Sequence, residues 1–531
     1  MSEGGAPLSP SPEGGRTGLR LSELMAVMSL ATDLGIGAPL ETGLVICQLA
    51  VHVGEEMGLP EDELRRTYYL ALLRHIGCTA KADPMAEAIG SDLVLGEAVA
   101  AVDMASPREV VPAVLGVVHR HSPGRRFPLA AARALAFGMR MKEGYLAMCE
   151  VAGMLAARLG FDARFEQDVR QIGERWDGKG SPGLAGGEDL PPAVRAVHLA
   201  EGVGNLRRSL PSDQIASVVA DRRGTAYPPD AVDAFLPAAA TILASVSRPG
   251  SIWDQVLAAE PGPVEPLSEE RLDSTFRALA DFADLKSRYL VGHSSGVAAL
   301  ARAAAQQGRL PAGDVVTLYR AALAHDVGRV GVNSALWSKA GGLTADEWEQ
   351  VRMHAYYTDR VLGRPSRLRQ VASVASLHHE RVDASGYFRG LAAAQQPAAA
   401  RILAAADAFH AMTEPRPHRP ARSADQAATE LRADVRAGRI DADAADVVLQ
   451  AAGQPTRRRR DQVAGLTARE LEVLRLLARG ASTRAIARAL VIAPKTADAH
   501  IQHIYTKAGV STRAAATLFA MQHDLLGPAG G

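Results

Sequence analysis

Apolar residues in this chain recur at the three- and four-residue spacing of helices, and near the C-terminus the pattern can be read position by position. Leu471, Val473, Leu474, Leu477, Ile486, Ala487, Leu490, Ile492, Ile501 and Ile504 stand at helical intervals and predict a small bundle of four helices. Thr467 followed by Glu470 is a capping box in front of the periodic run LEVLRLLARG, and Gly480 supplies its stop. VIAP then makes a turn, and Pro494 opens a helix over about 495–508, where its missing N–H costs nothing. Lys495, Thr496, Asp498, His500, Gln502, His503 and Lys507 make that helix polar on the side away from Ile501 and Ile504.

Upstream, the pattern repeats itself. GERWDGKGSPGL at 173–184 parallels HERVDASGYFRGL at 379–391, PPAVRAVHLAEG at 191–202 parallels PAAARILAAADA at 397–408, and ADRRGTAYPPDAVDAFL at 220–236 parallels ADVRAGRIDADAADVVL at 433–449. LLRHIG at 72–77 falls opposite LAHDVG at 323–328, with a longer spacer in the first copy. The expected organisation is a flexible N-terminus at 1–20, a first helical repeat at 21–260, a second at 270–450, an Arg-rich linker at 451–465 containing Arg457–Arg460, and the small C-terminal domain at 466–525. The Pro-rich, acidic AEPGPVEPLSEE joins the two repeats.

Composition sharpens the class. Of 531 residues, 47% are hydrophobic but only 5% aromatic, a balance that suits packed helices and predicts an all-α fold. Cys47, Cys78 and Cys149 have no CxxC spacing, so neither a disulfide framework nor a structural zinc site is indicated. No apolar run of about 18 residues occurs, and the polar start lacks the apolar stretch of a signal peptide, so a cytoplasmic protein with no membrane partner is expected. Net charge is zero, yet residues 455–531 carry 12 Lys and Arg against 5 Asp and Glu, a local +7 that points to nucleic acid.

Candidate chemistry gathers in the second repeat. Five of the fifteen histidines, His293, His325, His354, His378 and His379, lie there with Asp326 and Asp407 in apolar, helix-like runs. An unpartnered polar group buried in such a run costs roughly 1–3 kcal/mol, so something must satisfy them. Imidazoles with a carboxylate and no cysteine suit divalent iron, manganese or a similar ion, and a carboxylate between two ions is the arrangement that activates water against a phosphodiester. In the first repeat the same positions hold Arg74-His75, Ile172-Gly173 and Glu201, a set that cannot assemble a metal site. His119 and His121, in HRHSPGRR, read as a solvated loop.

The segments DLKSRYLVGHSSGVA, HDVGRVGV, WSKAGGLTADEWEQVRMH, HHERVDASGYFRGL and ARILAAADAFHAMT resemble, in order, the motifs of the HD-GYP branch of the HD phosphohydrolases over residues 275–450. That resemblance implies metal ligation by His293, His325, Asp326, His354, His378, His379 and Asp407, with Asp326 as bridge, and a cyclic-dinucleotide class of substrate. It also implies catalytic roles for Asp326 and Arg329, and substrate contacts from Arg329, Arg381 and Tyr387. Arg329 stands where members carry Lys, Ala384-Ser385-Gly386-Tyr387-Phe388 replaces the Gly-x-Gly-Tyr-Pro turn, and Tyr289 stands where some members supply Glu to a third metal, so two ions are expected. The first repeat resembles a degenerate HD domain.

Residues 466–520 resemble the LuxR-type DNA-binding domain, through LTxRE, IA…L, KT…H and the K-x-GV ending. That implies binding of double-stranded DNA through Lys495, Thr496, Asp498, His500, His503 and Lys507, by a homodimer on a two-fold operator. The expectation is a transcriptional regulator carrying a metal-dependent phosphohydrolase of cyclic or linear nucleotides. The alternative is an inactive sensor in which the repeats bind a nucleotide only as effector.

Overall fold

The computed structural model describes residues 18–99, 102–139, 141–454, 466–478 and 480–522. The Arg457–Arg460 stretch and most of the N-terminal segment lie outside them. All regular elements among the described residues are helices, as the low aromatic content and helical spacing led one to expect. No helix among them is long and apolar enough to cross a membrane. The chain forms two compact units, Met1–Gln454 and Pro455–Gly531.

Within the first unit the internal repeat is visible in matching details. Helices Leu21–Gly35, Thr42–Glu56 and Glu61–Leu73 are echoed by Glu269–Asp284, His293–Gln307 and Ala312–Ala324, and Pro192–Leu206, Ser212–Asp221 and Pro229–Ser245 by Ala398–Thr413, Ala424–Arg436 and Ala442–Ala451. The second helix of each leading triplet, Thr42–Glu56 or His293–Gln307, is entered through a left-handed residue, Glu41 (φ 74°) or Gly292 (φ 80°). Just behind each entry a buried aspartate accepts a backbone N–H: Asp33 from Gly43 at 3.1 Å, Asp284 from Ser294 at 2.9 Å. Farther on, Glu174 accepts from Gly183 and Leu184, while Glu380 accepts from Arg389, Gly390 and Leu391. Gly180 and Gly386 hold equivalent places, since a Cβ on either would stand 2.4–2.7 Å from the backbone of those glutamates and the arginines after them.

The two repeats share one contiguous apolar core, running from Leu19 to Leu449. Their connection is docked onto it: Leu267 donates its N–H to Leu19 O at 2.9 Å, Arg65 donates to Pro261 O at 2.7 Å, and Tyr69 donates to Glu260 at 2.6 Å. The longer spacer of the first copy folds into extra helices, among them Ala82–Ile89, Pro107–His121, Phe127–Met139 and Met141–Arg158. His119 and His121 are exposed as expected but end a helix rather than forming a loop, because VVPAVLGVV ahead of them is apolar enough to pack. From the spacer, Asp92 reaches a fully buried Lys286 of the second repeat, whose ammonium also donates to Val330 O at 2.7 Å.

In the second unit, helices Ala468–Ala478, Thr483–Ala489, Pro494–Ala508 and Arg513–Gln522 close over Val473, Leu474, Ile486, Ala497 and Ile504. The capping box is made: Glu470 N–H donates to Thr467 Oγ1 at 3.3 Å and Thr467 N–H to Glu470 Oε2 at 2.7 Å. A cap of this kind is worth about 1 kcal/mol. Gly480 takes the left-handed conformation expected of a stop, at φ 86°.

Candidate metal centre and nucleic-acid interface

Five elements carry the histidines and aspartates of the second repeat to one buried place. His293 is the first residue of its helix, His325 and Asp326 leave the C-terminus of Ala312–Ala324, His354 is inside Ala345–Leu362, and His378 follows Arg369–Ala375. Asp407 lies on Ala398–Thr413. All six are buried, and His379 is half-buried. The chain after Asp326 presses against the His354 helix so closely that a Cβ on Gly328 would stand 2.0 Å from His354 O; only glycine fits.

Three of the rings are set alike. Nδ1–H of His325 donates to Ala322 O at 2.7 Å, that of His354 to Val351 O at 2.5 Å, and that of His378 to Ala375 O at 2.7 Å. Each ring thereby spends its one proton on a carbonyl three residues back and turns a bare Nε2 inward, the tautomer a metal ligand needs. His293 is set by a carboxylate instead: its Nδ1 lies 2.8 Å from Glu414 Oε2. Arg416 Nη2 lies 2.8 Å from the same Oε2.

Asp326 stands among these nitrogens. Its Oδ2 is 2.9 Å from His325 Nε2 and 3.5 Å from His293 Nε2, and its Oδ1 is 3.3 Å from His378 Nε2 and 3.6 Å from His354 Nε2. Asp407 lies 3.2 Å from His293 Nε2 and 3.8 Å from His379 Nδ1. One carboxylate thus faces two pairs of imidazoles with different oxygens. His325 Nε2 and both Asp326 oxygens are buried without a hydrogen-bond partner, and the Nε2 atoms of His354 and His378 face each other at 3.0 Å. Bare acceptors that close repel unless a cation stands between them, so the donor set fits a divalent metal.

The electrostatics agree. Burial, then the neighbouring His378, pushes His354 down to about 3, and burial pushes His378 and His379 down as well, keeping these rings neutral. Against the desolvation that would raise it, Arg329 and His325 hold Asp326 well below the usual carboxylate range. His293 is moved the other way: although burial opposes it, Asp407 and Glu414 raise it to about 9.

Arg329 is buried, lies over the Trp337 ring at 5.2 Å and places Nη1 2.7 Å from Asp326 Oδ2. Arg381 and Tyr387 line a cavity of about 430 Å³ that opens beside His379. Trp348, Glu349, Arg352 and Arg439 complete that cavity, with the Arg352 guanidinium 5.6 Å from the Tyr387 ring. Sequence reasoning passed over these residues, and over Trp337 and Glu414. The signal for Glu414 was its spacing of four from His410, which Glu414 also meets, at 3.4 Å. In the first repeat no comparable convergence of metal-type side chains occurs among the described residues.

On the C-terminal unit, the helix Pro494–Ala508 buries Ala497, Ile501 and Ile504 and exposes Lys495, Thr496, Asp498 and His503. His500 is half-buried, and Lys507 is engaged with Glu470 at 2.7 Å. The other polar side chains form one exposed face on a single helix, the form in which a helix enters a major groove.

Comparison with known proteins follows the same division. Residues 277–444 match the family described as HD domain, and residues 464–520 match the bacterial regulatory proteins of the luxR family. The 3'3'-cGAMP-specific phosphodiesterase 3 of Vibrio cholerae is 28% identical over 411 residues, 77% of this chain and 89% of that one. The cyclic di-GMP phosphodiesterase response regulator RpfG of Xanthomonas campestris is 33% identical over 189 residues, 35% of this chain and 49% of the relative. A crystal structure of a cyclic GMP-AMP phosphodiesterase from V. cholerae, V-cGAP3, superposes with a TM-score of 0.56 at 23% identity over 82% of this chain and 98% of that one, which shows a shared fold.

Proposed function

Because the chain joins an HD domain to a C-terminal LuxR-family DNA-binding domain, we propose that it is a DNA-binding regulator whose second repeat binds two divalent ions and hydrolyses a cyclic dinucleotide or a related phosphodiester. The observation that carries this reading is the set of three imidazoles, each fixed by a carbonyl three residues back, whose bare Nε2 atoms converge on Asp326. His293, His325, Asp326, His354, His378, His379 and Asp407 hold the metal, iron or manganese in type. Bound there, it supplies Lewis acidity and a water of lowered pKa.

The remaining work falls to side chains of this chain. Arg329, kept in place by Trp337, meets the charge of the scissile phosphate. Arg381, Arg352 and Arg439 surround an anionic ligand in the adjoining cavity, and Tyr387 and Trp348 offer faces on which a base stacks. The substrate class is supported by the similarity to phosphodiesterases of 3'3'-cGAMP and cyclic di-GMP. Lys495, Thr496, Asp498, His500, His503 and Lys507 contact duplex DNA, as a homodimer, in the cytoplasm where the genome is.

A second reading has its own support. Arg329 Nη1 is 2.7 Å from the carboxylate proposed as bridge, closer than an unpaired ligand needs, and a nucleotide held as effector without turnover fits that pairing. The test is metal analysis of the purified protein together with turnover of 3'3'-cGAMP, cyclic di-GMP and linear dinucleotides. Bound metal with linear product supports the hydrolase; saturable binding without product leaves the sensor; protein with neither metal nor nucleotide affinity sinks both.

A further inference from the structure

The place where the first repeat lacks metal ligands is filled by a different chemistry. His75, at the position of Asp326, puts Nε2 3.0 Å from Glu201 Oε1, and Glu201 occupies the position of Asp407. The other ring nitrogen, Nδ1, is 3.6 Å from Cys78 Sγ, and Cys78 occupies the position of Arg329. Thiol, imidazole and carboxylate therefore stand in line, the order in which a base oriented by an acid takes a proton from sulfur. Arg74 adds a buried cation: its side chain is 1% exposed, lies 3.6 Å from the same Glu201, and has Nε and Nη2 without hydrogen-bond partners. Cys78, His75 and Glu201 are each partly exposed, so a small reagent can reach them.

We propose that Cys78 is a reactive thiolate held by His75 and Glu201, and that it is a site of oxidation by hydroperoxides. The sulfur attacks the terminal oxygen of a hydroperoxide, the S–O bond forming as the O–O bond breaks. Cys78 becomes a sulfenic acid, oxidised by two electrons, and the peroxide is reduced to an alcohol or water as its leaving oxygen takes the proton from His75.

The surroundings favour this charge distribution. Burial pushes Cys78 up, but His75 and then Lys81 outweigh it and leave the thiol below its ordinary value. His75 is raised to about 9 in spite of its desolvation, by Cys78 and Glu201 and against Arg74. From the facing helices, His198 and Glu201 stand on Pro192–Leu206, Asp33 on Leu21–Gly35, and Cys149 on Met141–Arg158. The other two cysteines are internal controls: burial pushes Cys149 up to about 11 and raises Cys47 further.

The experiment is alkylation of the full chain by iodoacetamide from pH 5.5 to 9.5, with each cysteine followed by peptide mass spectrometry. Cys78 is expected to react at pH 6.5 at least about ten-fold faster than Cys149, the factor that one unit of thiol pKa gives in thiolate. His75→Asn is expected to move the midpoint of its profile up, because burial then acts on the thiol without the imidazole that opposes it. One equivalent of hydrogen peroxide followed by dimedone should tag Cys78 and leave the Cys78→Ser protein untagged. Equal rates for Cys78 and Cys149 at pH 6.5 in the unaltered protein overturn the proposal, and need no variant to fold. A Cys78 profile that ignores His75→Asn overturns the relay, and fast alkylation without a dimedone adduct overturns the assignment to peroxide.

Discussion

At the scale of single residues, the second repeat shows how a backbone carbonyl can choose a tautomer. His325 and His378 follow helix ends, where the carbonyl three residues back is free to accept, while His354 uses a carbonyl inside its own helix, Ala345–Leu362. The candidate ligands themselves were legible in the sequence, because seven ionisable groups in apolar runs need a common partner. It did not reveal Glu414, which lies one residue beyond the helix Ala398–Thr413 and reaches His293 only after the chain has turned. Two outcomes separate these roles. Asp326→Ala should lose most bound metal, measured by elemental analysis of the purified protein, because it removes the carboxylate that faces four rings. Glu414→Gln should keep the fold but weaken metal about 10–100-fold in a chelator competition, the usual effect of disturbing a group that orients a ligand. Unchanged affinity in Glu414→Gln would mean that His293 needs no such support.

Among elements, the helix Pro494–Ala508 was foreseen nearly residue by residue, since Pro494 and the spacing of Ile501 and Ile504 mark its start and its buried side. What spacing could not show is that Lys507 is already engaged. Its ammonium ties the helix to Glu470 of Ala468–Ala478 at 2.7 Å, so one lysine of the helix serves packing while Lys495 stays exposed. Lys495→Ala should therefore weaken binding to all duplexes and lessen its salt dependence with little change in thermal stability. Lys507→Ala should lower the melting temperature of the C-terminal unit as well. The pH dependence follows from Glu470. Burial would raise its carboxyl, but Lys507 and the Thr467 cap hold it down to about 2 from its ordinary 4.5. A depressed carboxyl stabilises the fold above the unfolded value and loses that contribution as pH falls through the folded one. Melting of this unit should accordingly drop between about pH 4.5 and 2 in the unaltered protein, and the drop should shrink in Lys507→Ala. A Lys507→Ala profile parallel to that of the unaltered protein would rule out the ion pair as the cause.

For the whole molecule, the repeat could be read from the sequence but its consequence could not: the two copies share one core, and the spacer between motifs of the first copy reaches into the second. Motif order shows equivalence; only packing shows that Lys286 is buried against Asp92. Lys286→Met should cost about 3–5 kcal/mol in denaturant unfolding, because it leaves the buried Asp92 carboxylate with the Ser334 N–H as its main partner. Adding Asp92→Asn should recover part of that, since an amide can still accept from Ser334 without carrying charge. The unit proposed to hold metal and the unit proposed to read DNA are joined covalently, and regulation by nucleotide requires that occupancy of one change the free energy of the other. Such coupling is reciprocal: if a nucleotide alters duplex affinity by some factor, saturating duplex must alter nucleotide affinity by the same factor, and ten-fold corresponds to about 1.4 kcal/mol. The measurement is a pair of titrations on the full chain, duplex with and without a linear dinucleotide, and the dinucleotide with and without duplex. The linear dinucleotide chosen is one that the turnover assay leaves intact, so that the ligand is not consumed. Equal, non-unit factors are the expected result. A factor of one in both titrations, from protein that binds each ligand, would mean that the two domains share a chain without regulating one another.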